Sequence, residues 1–450
     1  MNSVEVASLA VGTTAQCHYY SEKGELLISK GVFISQSHLD TFARRNIFEV
    51  YIKPASEDEE ISSLLTKEFK SLGDVDIGDQ AAAGLAPEIR RSPINTMPLQ
   101  KLLVSEQAIA LDKQLGKTAD RPLGPALRNK ATQMTVQQRT EEYKTTVSSS
   151  YESALKDVQS ILNQVAFGGT TEGTSIRNIV ERFVKIFISD RNILLNLSSV
   201  KPPGKEYIYH HSLNVCLLAI NIAASSGYNE KQIIEIGMGA LLHDIGMLLL
   251  PFGLRTKEGR LTEGEWFEIQ KHPILGLHLL EKIGRLPEGI PFVAYQVHER
   301  ENATGYPKQR SSLLIHRFAK LVQIADVYEA LTSPRGHREA FIPHEGVLRL
   351  IKMSKTGLIP GEYVKAFLEY SSLYPVGSLV MLSDNRIGKV VQSNKEHLTK
   401  PIVSIITDSL GKLVIKTSAT QDNLLTNNAI SITNALPSNY LTNSSIMDGF

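Results

Sequence analysis

The sequence predicts a multidomain protein: an all-α helical bundle, preceded by a small α+β module and followed by a small β-rich appendage. Three observations carry this. Between 140 and 372 apolar residues recur three and four apart almost without interruption, the spacing of one helix face. Before 56 and after 372 the period falls to two, as in strands. The chain has 450 residues, 42% hydrophobic and 21% charged, enough for two or three domains with a sizeable core.

Residues 1–55 carry the alternating runs AQCHYYS and ELLISKGVFI, then the helical SQSHLDTFARRN and the strand-like FEVYI, which together make a small α+β module. From 56 to 139 the texture turns acidic in SEDEE and then rich in Ala, Pro, Gln and Ser, as in GDQAAAGLAPEIRRSPINTMPLQ. Core-forming periodicity is weak there, so this stretch reads as a linker with short helices. From 140 to 372, SSYESALKDVQSILNQVA, SIRNIVERFVKIFISD, NVCLLAINIAAS, ILGLHLLEKI and LIHRFAKLVQIADVYEALT keep the helical spacing, and Thr262 with Glu265 opens a further helix as a capping box. Over 373–418, SLVMLSD, RIGKVVQS, PIVSIITD and KLVIKT alternate between turns at DNRIG and DSLGK, a β-rich extension. Residues 419–450, polar and poor in charge, read as a disordered tail.

Composition narrows the partners. Lys+Arg 48 against Asp+Glu 47 leaves a net charge of +1, which gives no reason to expect DNA or an anionic membrane. Cys17 and Cys216 are far apart and read as packed thiols of a reducing compartment. The start MNSVEVASLAVG lacks the basic and apolar regions of a secretory signal, and no run reaches the roughly 18 apolar residues that span a bilayer, so a cytoplasmic protein is expected.

The chemistry concentrates where two carboxylates fall inside apolar helical runs. Asp244 sits in GALLHDIGMLLLP and Asp326 in KLVQIADVYEAL. Burying an unpaired carboxylate costs several kcal/mol, so each needs a cation or hydrogen bonds. The available partners are His210 and His211 before NVCLLAI, His243 beside Asp244, His272 before Pro273, and His298 in VAYQVHERENATGYP. Imidazoles with carboxylates form a donor set for Fe, Mn, Zn or Ni. A lone histidine on a helix is more often hydrogen-bonded than a ligand, so His278, His316, His337 and His344 read as ordinary core or surface residues, and His210 as the surface neighbour of His211.

In their order these segments resemble the HD-GYP family, a branch of the HD phosphohydrolases whose members hydrolyse cyclic di-GMP. Over about residues 200 to 355 the chain carries YIYHHSLNV for the first histidine motif, LLHDIG for the HD pair, QKHPILG for the third histidine, HERENATGYP for the signature and IADVYEALTSPRGHR for the last aspartate. The resemblance implies an HD-type bundle holding two divalent ions, Fe or Mn first and Zn or Ni as alternatives. It implies one site from His211, His243, Asp244 and Asp326, with Asp244 bridging to a second built from His272 and His298. The resemblance implies that two such metals, about 3.5 to 4 Å apart, would supply an activated hydroxide for attack on phosphorus, with His243 and Asp244 as the catalytic pair. Gly305, Tyr306 and Pro307 form a loop that meets a guanine or shapes the cleft. Arg335 and Arg338 fall where the family grips phosphate, a task suited to the planar guanidinium. The implied partners are cyclic di-GMP or a related cyclic dinucleotide and signalling proteins, with a homodimer among the assemblies to expect.

Three positions depart from the family pattern. Val297 stands where the first of two consecutive histidines would precede Glu299, so the second site lacks an imidazole unless water or Glu299 fills the place. Met247 replaces the lysine after HDIG, and Asn302-Ala303 replaces Asp-Gly before the signature Gly305, implying a less tightly turned loop. Two readings stand open: a cyclic di-GMP phosphodiesterase slowed by Val297 and Met247, and a catalytically degenerate signalling module that binds a cyclic dinucleotide or a protein.

Overall fold

A computed structural model describes residues 2–52, 98–199, 207–334 and 340–440, apart from short internal stretches of which the longest are 29–33 and 415–420. The N-terminal strands β1 (Asn2–Glu5), β2 (Tyr19–Tyr20), β3 (Leu26–Ile28) and β4 (Glu49–Ile52) make an antiparallel sheet in the order β1-β4-β2-β3, with Asn2 opposite Ile52. Helix α1 (Gln36–Arg44) adds Phe42 to a small core with Leu9, Leu27, Ile28, Ile34 and Val50. Leu313, far along the chain, completes that core, and Arg45 Nη2 donates to the Leu313 carbonyl at 3.0 Å. The module is therefore docked on the helical domain rather than tethered beside it.

The helical domain comprises α2 (Leu99–Leu103), α3 (Glu106–Gln114), α4 (Glu141–Ala166), α5 (Gly173–Ser189), α6 (Ile193–Ser198), α7 (Tyr207–Ser225), α8 (Glu230–Leu242), α9 (Phe252–Arg255), α10 (Glu263–Ile269), α11 (His272–Leu280), α12 (Ile290–Gln296), α13 (Arg317–Thr332), α14 (Pro343–Lys355) and α15 (Gly361–Ser371). Long α4 follows the amphipathic rule: Val147, Tyr151, Ala154, Val158, Leu162 and Val165 face the core, and Thr140 caps its N-terminus by accepting from the Tyr143 amide. The capping box at Thr262 and Glu265 forms with both of its bonds. Helices α7, α8 and α13 are buried on nearly every side, which is why their sequences are apolar all round and why they lie at the centre. The stretch Glu230–Leu249 does have the length and hydropathy to cross a bilayer, against the expectation that no run would; 83% of its 18-residue apolar portion is buried inside the bundle, which accounts for its apolarity.

The end of the chain differs from the sequence reading. A parallel pair, β5 (Thr171–Glu172) with β6 (Ile283–Gly284), ties the start of α5 to the end of α11. Beyond α15, β7 (Leu379–Leu382), β8 (Ile387–Gln392), β9 (Ile402–Ile405), β10 (Gln421–Asn423) and β11 (Ile432–Leu436) form one antiparallel sheet in the order β10-β9-β8-β7-β11. Two of these strands fall within 419–450, expected to be a disordered tail. Both are sheet edges held by main-chain pairing, where polar side chains face water without penalty. Residues 441–450 lie outside the described residues. The inner face of the sheet (Val380, Leu382, Val390, Val403 and Ile405) belongs to the same apolar core as the helices. The expected linker also changes character: Leu99, Leu102, Ala108, Leu111 and Leu127 are buried in that core, while its first part, 53–97, lies outside the described residues.

Candidate metal centre

Six side chains from six elements converge at the middle of the bundle. His211 comes from α7; His243 ends α8 and Asp244 opens the 3-10 turn Ile245–Leu249; His272 begins α11; His298 follows α12; Asp326 lies on α13. A main-chain approach brings the middle pair together. A Cβ on Gly246 would stand 2.0 Å from the His272 carbonyl oxygen and 2.5 Å from the Gly276 nitrogen, so only glycine lets the turn lie against α11.

The cluster divides into two sets, His211, His243 and Asp326 in one and Asp244, His272 and His298 in the other, each with its donor atoms within 4.8 Å of one another. Asp244 lies between them. Its Oδ1 stands 3.2 Å from His272 Nε2, 3.2 Å from His298 Nε2 and 3.4 Å from His243 Nε2, and its Oδ2 3.6 Å from His211 Nε2. Asp326 Oδ1 lies 3.3 Å from His211 Nε2 and 3.9 Å from His243 Nε2, while its Oδ2 reaches His298 Nδ1 at 3.5 Å. His298 thus faces both carboxylates, although the sequence joined it only to Asp244.

Protonation follows from the contacts. His243 Nδ1 meets the Ala240 carbonyl and His272 Nδ1 the Ile269 carbonyl, each at 2.8 Å, so both rings carry their proton on Nδ1 and present a lone pair at Nε2. Those two Nε2 atoms are buried without a hydrogen-bond partner. They face carboxylate oxygens, lone pair against lone pair, an arrangement that a cation relieves; the residues present fit a bound metal. Burial alone would raise Asp244; positive charge held at His243, His272 and His298, as a proton or a cation on the nitrogens that face it, keeps it well below the usual carboxylate range. Asp326 is likewise held low against burial by His211, His298 and His243. Burial keeps His298 down at about 4, hence neutral, whereas His211, which burial would also lower, is raised to about 10 by Glu329, Asp326 and Asp244.

Glu329 was not foreseen. It is buried, accepts from His211 Nδ1 at 2.6 Å and from Tyr207 Oη at 2.9 Å, and meets Asn214 Nδ2 at 3.4 Å. The signal was present in the sequence: Glu329 stands three residues after Asp326, on the same face of α13. A carboxylate behind a histidine fixes the ring, so if His211 holds a divalent ion Glu329→Gln is expected to weaken its binding about 10- to 100-fold in a folded protein. Titration against a competing chelator measures this; wild-type affinity would remove Glu329 from the site.

The signature loop is tightly built. A Cβ on Gly305 would fall 2.4 Å from the Arg300 nitrogen and 2.5 Å from Glu299 Cα. Tyr306 stacks on His298 with ring centroids 4.9 Å apart and planes 13° from parallel, and meets Trp266 edge-on at 5.5 Å. It therefore walls the cluster from one side, while Pro307 carries the chain on to Lys308. Ala303 adopts φ 64, so the expectation of a looser turn is wrong: alanine keeps the left-handed conformation, at a cost of about 1–2 kcal/mol. Glu299 does not complete the second set, because its two oxygens accept from the Lys308 and Arg310 amides at 2.8 and 2.7 Å. Val297 is fully buried in the apolar core, and Met247 packs against that core from a half-buried position. His210, expected at the surface, is half-buried with Nδ1 3.3 Å from Tyr151 Oη. His316 caps α13, His344 Nδ1 meets the Leu373 carbonyl, and His278 pairs with Glu281. Cys216 is a buried free thiol. Arg335, Arg338, His337 and Cys17 lie outside the described residues.

Comparison with known proteins gives two domain matches: residues 192–360 match the HD domain, and residues 379–444 match a KOW domain associated with HD domain. The chain is 29% identical over 258 residues to a cyclic di-GMP phosphodiesterase of Pseudomonas aeruginosa, covering 57% of this chain and 62% of that one. It is 28% identical over 210 residues to a cyclic di-GMP phosphodiesterase of Borreliella burgdorferi (46% of this chain, 55% of that one). A 3'3'-cGAMP-specific phosphodiesterase of Vibrio cholerae is 28% identical over 147 residues (33% of this chain, 34% of that one). The chain spans less than two thirds of the length of these relatives.

Proposed function

Through residues 192–360 the chain belongs to the HD-GYP family, and from that premise we propose that it is a metal-dependent phosphodiesterase that opens a cyclic dinucleotide, cyclic di-GMP or a close relative, at a centre of two divalent ions. The observation that carries the reading is the pair of buried, partnerless Nε2 atoms of His243 and His272 facing the Asp244 carboxylate.

His211, His243 and Asp326 would hold one ion, His272 and His298 the other, with Asp244 shared. Iron or manganese suits this mixed nitrogen and oxygen set. Bound ions would supply charge to the phosphate oxygens and an acidified water for attack on phosphorus. The chain's own groups do the rest. Asp244 and Asp326 stay ionised and keep the imidazoles aimed inward, Glu329 orients His211, and the Tyr306 ring keeps His298 from turning. Arg335 and Arg338 are the proposed phosphate grip. The ligand is thus a small diffusible nucleotide met in the cytoplasm, rather than DNA.

A second reading, a binding module without turnover, is favoured by Val297, which fills with apolar core the place of an imidazole. Purification without oxygen, followed by metal analysis and incubation with cyclic di-GMP and 3'3'-cGAMP, separates the two. The expected result is about two ions per chain and a linear dinucleotide product. One ion or none, with nucleotide bound but intact, would replace the enzyme with the module.

A further inference from the structure

The signature loop is held from two sides by carboxylates. From inside, Glu299 takes the Lys308 and Arg310 amides. From outside, Asp112 on α3 takes the side chains of the same two residues, Lys308 Nζ at 2.8 Å and Arg310 Nη2 in a short contact. Arg310 is buried, its guanidinium 5.1 Å over the Tyr295 ring and 3.3 Å from the Tyr295 hydroxyl. Lys308 and Arg310 follow Tyr306 at once, and the Tyr306 amide donates to the His298 carbonyl at 3.1 Å. Helix α3 itself packs against α11, the helix that begins with His272. Asp112 lies outside the matched HD domain, on the segment that leads in from the N-terminal module.

We infer that Asp112 is a positioning residue for the metal centre: it clamps Lys308 and Arg310 and thereby keeps the Tyr306 ring seated on His298. Charge-assisted bonds to a half-buried carboxylate are among the stronger ties available to a loop, and among the described residues no second carboxylate pairs with Lys308. The activity arm of the test rests on the phosphodiesterase reading above; the spectroscopic arm does not.

Trp266 is the one tryptophan in the sequence and lies edge-on to Tyr306, so its fluorescence reports the loop. In the full chain, Asp112→Ala is expected to raise acrylamide quenching of Trp266 well below the melting temperature. It should also lower kcat for cyclic di-GMP about ten- to a hundred-fold, with metal per chain unchanged. Asp112→Glu should recover most of both. Unchanged quenching overturns the clamp, whether or not the wild type turns over. Altered quenching with wild-type kcat overturns the link to the centre, and a fall in kcat matched by metal loss shows a role in folding instead. Absence of turnover in the wild type would count against the enzyme reading alone, leaving quenching to decide the clamp. Should Asp112→Ala fail to fold, Lys308→Met removes the more exposed half of the same contact and is read in the same way.

Discussion

Asp244→Ala is expected to leave a folded protein without its ions and without turnover. Asp244 reaches all four imidazoles, His211, His243, His272 and His298, at 3.2 to 3.6 Å, whereas Asp326 reaches three. Removing one charged partner from a buried set costs about 3–5 kcal/mol. Loss of a carboxylate that faces all four imidazoles should lower ion affinity by more than the roughly 10- to 100-fold expected for an outer partner such as Glu329. His278→Ala is the control, since its ring sits on a more exposed turn beside Glu281. Full metal content in Asp244→Ala, or equal depletion in the control, would sink the ligand assignment.

Gly246→Ala should be the most damaging glycine-to-alanine change among the described residues. The added carbon would meet the His272 carbonyl oxygen and the Gly276 nitrogen, both main chain, so no side-chain rotation relieves it. Overpacking costs about 1–3 kcal/mol when neighbours can yield, and here they cannot, so about 3 kcal/mol is the lower bound. For a helical domain of this size that lowers Tm by roughly 6–12 °C. The strain also pushes α11 from the 3-10 turn, and with it His272 from Asp244, so on the proposed two-ion reading the ion at His272 and His298 should be lost before the one at His211 and His243. Gly264→Ala makes the comparison, because a Cβ there meets nothing within 4 Å and alanine favours its helix. Equal melting temperatures for the two variants would show that the turn does not depend on the close approach.

The bundle was legible from its helical spacing, and Asp244 and Asp326 from the cost of burying charge, since an unpaired carboxylate cannot remain in an apolar helix; which histidines join them came from the resemblance of the motifs to the HD-GYP family. What escaped was set by long-range or main-chain contacts. Strand β11 reads as disordered because main-chain pairing with β7 fixes it and most of its side chains stay partly exposed. Helices α2 and α3 are too short to show a clear period inside a polar stretch, yet Leu99, Leu102 and Leu111 enter the core and Asp112 meets a loop almost two hundred residues away. Glu299, read as a spare ligand, was already engaged by two amides that only the folded loop brings near. The left-handed Ala303 could not be foreseen either, since its conformation is imposed by the loop around it.

The sheet that closes the molecule has an order of assembly written into it. β7 is the first of its strands to be synthesised, and its edge partner β11 is the last, with about fifty residues between Leu382 and Ile432. At a synthesis rate of roughly 5–20 residues per second, the growing chain carries a bare strand edge for a few seconds on the ribosome. During that interval β7 is open to pairing with another nascent chain. A stop codon placed just before residue 432 would make the interval permanent, turning a transient hazard of translation into a standing tendency to aggregate.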